Sequence, residues 1–134
     1  MRRFIVLANG LAIILSAGCV SPSAEKGHTL YTENGCASCH GTEGYGDGPL
    51  SQKLPVSPIN LHDVSLFQHG TSEDAIARTL AEGISLDHSA PILRYTHHEL
   101  LMPKFDHLND NERRSIALYV ISLRAAHNGG RSQQ

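Results

Sequence analysis

The sequence predicts a small all-α domain with long loops. Three observations carry that expectation. Apolar residues recur at helical spacing in two segments, Ile76, Leu80 and Ile84, then Ile116, Tyr119, Val120 and Leu123. Each set forms one stripe along a helix. Capping residues stand ahead of the periodic segments. Strand signals, meaning alternating β-branched and aromatic residues between turn residues, are almost absent.

The elements follow in chain order. Arg2 and Arg3 precede an apolar run from Phe4 to Leu15, interrupted only by Asn9 and Gly10. A bilayer-spanning helix needs about 20 apolar residues, so this run is too short. Its charged start and short apolar body predict a secretory signal peptide over 1–18. The run closes on Leu15-Ser16-Ala17-Gly18-Cys19. Small residues before a cysteine resemble a bacterial lipoprotein processing site, where the thiol is acylated after cleavage. Ser16 departs from that pattern, which carries a branched aliphatic residue there, and ordinary cleavage after Gly18 also fits. Residues 19–24 are short and polar enough to be a tether.

The domain itself is expected over 25–126. Its first helix is predicted over 25–34, with Gly35 closing it. Gly27 lies one turn before Tyr31. Glycine inside a helix costs about 1 kcal/mol against alanine, so it is kept where another helix approaches closely. The first and last helices are therefore expected to cross near Gly27, Tyr31 and Tyr119. From Gly41 to Gly70 the chain is rich in glycine and includes Pro49, Pro55 and Pro58. So long a connection is uncommon in a compact domain unless it wraps something.

A second helix starts at Thr71 or Ser72, with Thr71 and Asp74 spaced like a capping pair, and ends at Gly83. Thr96 and Glu99 predict a third, short helix that stops near Leu101, because Met102 precedes Pro103. Asn109 and Glu112 form a capping pair that opens the last helix. Residues 127–134 are read as a polar tail.

The chemistry is concentrated in Cys36-Ala37-Ser38-Cys39-His40. Two thiols three positions apart, followed by an imidazole, match the attachment site of a c-type haem. Each thiol can add to one vinyl group of the porphyrin and make a thioether. The next residue then lies under the iron, where a neutral imidazole nitrogen is a good ligand. A redox dithiol is the first alternative, but such pairs follow a strand, and no strand-like run precedes Cys36. Zinc is the second. It needs four ligands, and no cysteine follows Cys39, although distant histidines could join.

Cysteine arithmetic then bears on Cys19. The chain has 3 cysteines, and haem attachment uses two. A left-over thiol in an exported protein needs a role, and acylation of Cys19 supplies one. A free or intermolecularly paired thiol is the alternative. The expectation is a periplasmic protein held at the membrane surface through lipidated Cys19.

Composition is consistent with this. The length suits one domain. The formal net charge is −2 at pH 7, and removal of the signal segment takes away two arginines and no acid. No basic stripe exists, so nucleic acid is not an expected partner. There is no Trp and aromatic content is 5%, a thin core that a buried porphyrin would complete.

Further features join the CxxCH in a fixed order: Gly27 with Tyr31, Gly48-Pro49-Leu50, Leu101-Met102-Pro103 and the final helix. In these the sequence resembles the class I cytochromes c over about 25–124. The resemblance implies about four helices and long loops wrapped around one haem c, covalent through Cys36 and Cys39. It implies His40 and Met102 as iron ligands, and a hydrogen bond from His40 to the carbonyl of Pro49. Independently, a thioether is a soft, neutral ligand that favours ferrous iron, and Pro103 restricts Met102 to extended backbone. Met102 as core filler is the alternative. Rival ligands are His28, His62, His69, His88, His97, His98, His107 and His127, of which His97 and His98 are nearest in sequence.

The implied function is a monohaem carrier of single electrons that meets redox partner proteins transiently. It is not expected to be an enzyme. The alternatives are a haem subunit of a larger oxidoreductase, and a haem enzyme or sensor with an open sixth position. No nucleophile or acid–base arrangement stands out elsewhere. Glu73-Asp74 and Asp110 with Glu112 suit helix starts, and Arg113-Arg114 reads as a solvated helix face.

Overall fold

The computed structural model describes residues 21–54, 56–85 and 100–131. The signal segment, Cys19, the Thr96–Glu99 capping pair, His88, His97, His98 and the side chain of His127 lie outside the described residues. Helix α1 (Ala24–Glu33) starts at Ser23, whose Oγ accepts from Lys26 N at 3.2 Å. The Ser23 N–H donates to Ser115 Oγ at 3.3 Å. The last residues of the predicted tether are thus part of the folded domain. Asn34 caps the C-terminal end, and Gly35 turns the chain with φ +73°.

Helix α2 (Cys36–His40) is one turn made by the attachment motif itself, an element absent from the expected set. The connection that follows holds two short 3-10 turns, Ser51–Lys53 and Val64–Leu66. Helix α3 (Glu73–Glu82) is capped by Ser72 rather than Thr71, since Ser72 Oγ accepts from Ala75 N at 3.2 Å. Gly83 ends it with φ +70°, so Ile84, expected on the same helical stripe as Ile76 and Leu80, lies beyond the helix in extended backbone.

Strand β1 (Ile84–Ser85) pairs antiparallel with strand β2 (Leu100–Met102), Ile84 opposite Met102 and Ser85 opposite Leu100. This corrects the expectation of helix running up to Leu101. Proline disfavours helical backbone at the residue before it. The chain leaving α3 at Gly83 then offers main-chain partners to an extended Met102. Helix α4 (Asp110–Arg131) opens with a reciprocal cap: Asn109 N donates to Glu112 Oε2 and Glu112 N donates to Asn109 Oδ1, both at 3.0 Å. It continues beyond His127, where a tail was expected.

The core gathers Tyr31, Leu61, Ile76, Leu80, Phe105, Leu108, Ile116, Ala117 and Val120. Its tightest point is the crossing of α1 and α4. A Cβ on Gly27 would lie 1.9 Å from Ser115 O and 2.8 Å from Tyr119 Cβ. Tyr31 and Tyr119 meet edge to face there, with centroids 5.2 Å apart. The predicted crossing is therefore present. Arg114 ties α4 to α3 through Glu73 at 3.0 Å and Asp74 at 2.6 Å, and to Asp110 at 2.7 Å. No helix among the described residues is long and apolar enough to cross a membrane.

Candidate haem-binding site

A five-residue helix has no stability of its own, so α2 depends on its surroundings. Its C-terminal carbonyls, which no helix hydrogen bond can satisfy, are taken by the following loop. Gly41 N donates to Ala37 O at 2.9 Å, Leu50 N to Ser38 O at 2.8 Å, Gly48 N to Cys39 O at 3.1 Å and Gly46 N to His40 O at 2.8 Å. Gly48 must be glycine for this contact, because a Cβ would fall 2.4 Å from Ser38 O. The loop thus fixes the motif and leaves its thiols and imidazole on the wall of a cavity.

That cavity has a volume of about 290 Å³. Cys36, Cys39, His40 and Met102 all line it. Leu54, Val56, Ile59, Leu66, Ile76 and Leu80 supply much of the apolar wall. Among the described residues, no Asp, Glu, Lys or Arg lines it. Much of the long connection between α2 and α3 therefore does wrap this cavity.

His40 Nδ1–H donates to Ile59 O at 3.3 Å. A carbonyl only accepts, so the proton sits on Nδ1 and the lone pair of Nε2 is left for a metal. Burial pushes the His40 pKa below its ordinary value, and the bond to Ile59 opposes this in part. Both bonding and burial therefore suit a neutral imidazole.

The carbonyl at His40 belongs to Ile59, not to Pro49 as the resemblance implied. The reason is main-chain competition. Residues 46–50 lie along the end of α2, which carries Pro49 to the exposed surface. Pro58 and Ile59 instead pass beneath His40, held by Leu61 N donating to Gly44 O at 2.7 Å. The connection between α2 and α3 holds three prolines, Pro49, Pro55 and Pro58, and spacing alone does not select among them.

Burial pushes the Cys36 thiol up to about 11. A redox dithiol needs a thiolate and therefore a lowered value, so the environment opposes that alternative. The described residues contain no cluster of three or more His, Cys, Asp or Glu able to hold a metal. Zinc therefore lacks its remaining ligands among them. Met102 is half-buried on the cavity wall, its backbone fixed by pairing with Ile84. Of the rival histidines, His69 lines the same cavity. His28 packs on Tyr119 with centroids 5.0 Å apart. His62 Nε2 bonds Glu43 O at 2.7 Å, and His107 Nε2 bonds Asn34 Oδ1 at 2.9 Å.

A haem c requires paired thiols, a neutral nitrogen ligand next to them, and apolar walls for the ring faces. This cavity meets all three needs, so the site fits the group. Fold and site together define a small helical haem protein. The sequence pattern of the family described as Cytochrome c matches residues 24–124. The chain belongs to the cytochrome c family, with the motif order of a class I c-type cytochrome, and carries haem c through Cys36 and Cys39.

No curated protein matches the chain. A solved structure does: a chain of the reducing HAO-like protein complex of Kuenenia stuttgartiensis, with TM-score 0.58 and 26% identity. The match covers 79% of this chain and 44% of that one. The present chain thus spans less than half the length of its structural relative.

Proposed function

We propose that this protein is a monohaem carrier of single electrons, working outside the cytoplasm, in which His40 and Met102 would hold the haem iron. The observation that carries the reading is the meeting of His40 and Met102 on one cavity, with the Nδ1 bond to Ile59 leaving Nε2 for iron. Bound haem supplies a one-electron iron couple. The chain's own residues do the rest. Cys36 and Cys39 fix the ring to α2. Ile59 O orients the His40 imidazole and raises its basicity as a ligand. The Met102 thioether favours the reduced state. The apolar walls restrict water, which keeps the surroundings similar in both redox states.

A pyridine haemochrome spectrum of the denatured protein tests covalent attachment. A near-infrared sulfur-to-iron band in the oxidised protein tests Met102, and Met102→Ala is expected to abolish it, lower the potential and admit carbon monoxide. High-spin, carbon monoxide-reactive wild-type protein would favour the enzyme or sensor reading. A second reading has support from the similarity to part of a larger complex. In it this chain is the haem subunit of a bigger oxidoreductase, and stable co-purification with another redox subunit would favour it. Export and acylation of Cys19 belong to the proposal on the sequence of residues 1–19 alone.

A further inference from the structure

We infer that the segment from Phe67 to Thr71, pinned from α4 by Arg124, presents Gln68 and His69 as hydrogen-bond donors to the haem's propionate carboxylates. The inference rests on the haem reading above and extends it beyond the attachment motif. Haem carries two carboxylates on one edge, and anions at the rim of an apolar site need donors. Apart from the motif, the polar side chains on the cavity wall are Tyr31, Asn34, Ser57, Gln68, His69 and Thr79.

Three of these are committed elsewhere. Tyr31 OH donates to Gly41 O at 2.8 Å, and Thr79 Oγ1 donates to Ala75 O at 2.9 Å. Asn34 Nδ2 donates to Leu30 O at 2.8 Å, while its Oδ1 accepts from His107 at 2.9 Å. No hydrogen bond among the described residues occupies the side chains of Ser57, Gln68 or His69. Gln68 and His69 are exposed as well as cavity-lining, which puts them at its mouth. They are adjacent in sequence, so two nitrogen donors stand side by side for two carboxylates. With no Lys or Arg among the described wall residues, they are the strongest donors there.

Arg124 explains why the segment keeps this position. Its Cζ lies 5.1 Å from the centroid of the Phe67 ring, and Nη2 donates to Thr71 O at 3.0 Å. The two contacts bracket Gln68 and His69. Nη1 is buried without a partner. Leaving one buried nitrogen unpaired is costly, and the two contacts that hold the segment offset part of that cost on this half-buried side chain. Arg124 is a positioning residue here, not a contact of the haem.

The test uses the haem-loaded protein with His69→Leu, Gln68→Leu, the double variant, His69→Asn and Arg124→Gln. Resonance Raman reads the propionate bending bands, and mediator titration reads the redox equilibrium. Loss of a donor leaves more carboxylate charge uncompensated, which favours ferric iron. Each leucine variant is expected to move the bands and shift the equilibrium toward the oxidised form by roughly threefold. His69→Asn keeps a donor and is expected to restore both readouts. Arg124→Gln is expected to move the same bands, which a purely stabilising role would leave in place. Unchanged bands and equilibrium in the double variant, with haem still covalently attached, overturn the inference and leave the haem reading intact. Absence of covalent haem in the wild-type protein overturns the reading beneath it.

Discussion

Replacing Gly27 by alanine tests whether the α1–α4 crossing is as close as described. On helix propensity alone, Gly27→Ala would stabilise α1 by about 1 kcal/mol. Packing opposes that. The new methyl carbon would lie 1.9 Å from Ser115 O, 2.5 Å from Ser115 C and 2.8 Å from Tyr119 Cβ. The first two atoms are helix backbone and cannot rotate away, so the helices must separate by more than an ångström. Such a separation strains the Ser23–Ser115 bond at 3.3 Å and the Tyr31–Tyr119 contact at 5.2 Å.

Overpacking of a tight core costs typically about 1–3 kcal/mol, and a backbone clash belongs at the upper end. Net destabilisation of about 2 kcal/mol is expected once the propensity gain is subtracted. For a domain of this size that lowers Tm by roughly 8–16 °C. The assay is thermal and urea unfolding of the haem-loaded protein, followed by circular dichroism. Thr29→Ala, at an exposed position of the same helix, controls for propensity and is expected to be neutral or slightly stabilising. A Gly27→Ala protein as stable as wild type, or more so, would refute the close crossing.

Gly48→Ala is expected to lift the loop from α2, since the new Cβ would fall 2.4 Å from Ser38 O. A loss of about 1–3 kcal/mol in urea unfolding, with faster proteolysis between Gly41 and Leu54, checks this. Arg114→Gln removes three ion pairs to Glu73, Asp74 and Asp110. Because these pairs are at the surface, the destabilisation is expected to shrink as sodium chloride is raised, and unfolding at several salt concentrations reads it. Cys19→Ala is expected to move the protein from the membrane to the soluble periplasmic fraction, and persistent membrane association would remove the acyl anchor. Cys36→Ser with Cys39→Ser is expected to abolish covalent haem, read by haem stain after denaturing electrophoresis.

Local chemistry was legible in the sequence, and long-range geometry was not. CxxCH works because three residues of one turn act on one cofactor, so its meaning travels with the residues. Capping is local too: Asn109 and Glu112 satisfy each other across three positions. Gly27 was legible because a helical glycine is costly without a close neighbour, and α4 is that neighbour. By contrast, α2 was not legible as a helix, because a single turn depends on the loop that takes its carbonyls. The β2 strand was missed because its partner, β1, lies across the chain and only the fold brings the two together.

The amino-acid sequence by itself determined an all-helical class, the attachment residues, and the helix pair that crosses at Gly27. Tertiary structure alone decided that Ile59, rather than Pro49, holds His40, and that Gln68 and His69 reach the cavity mouth. The physical reason is that a main-chain carbonyl has no residue signature. Every residue offers one, and only the path of the folded loop selects which meets the imidazole.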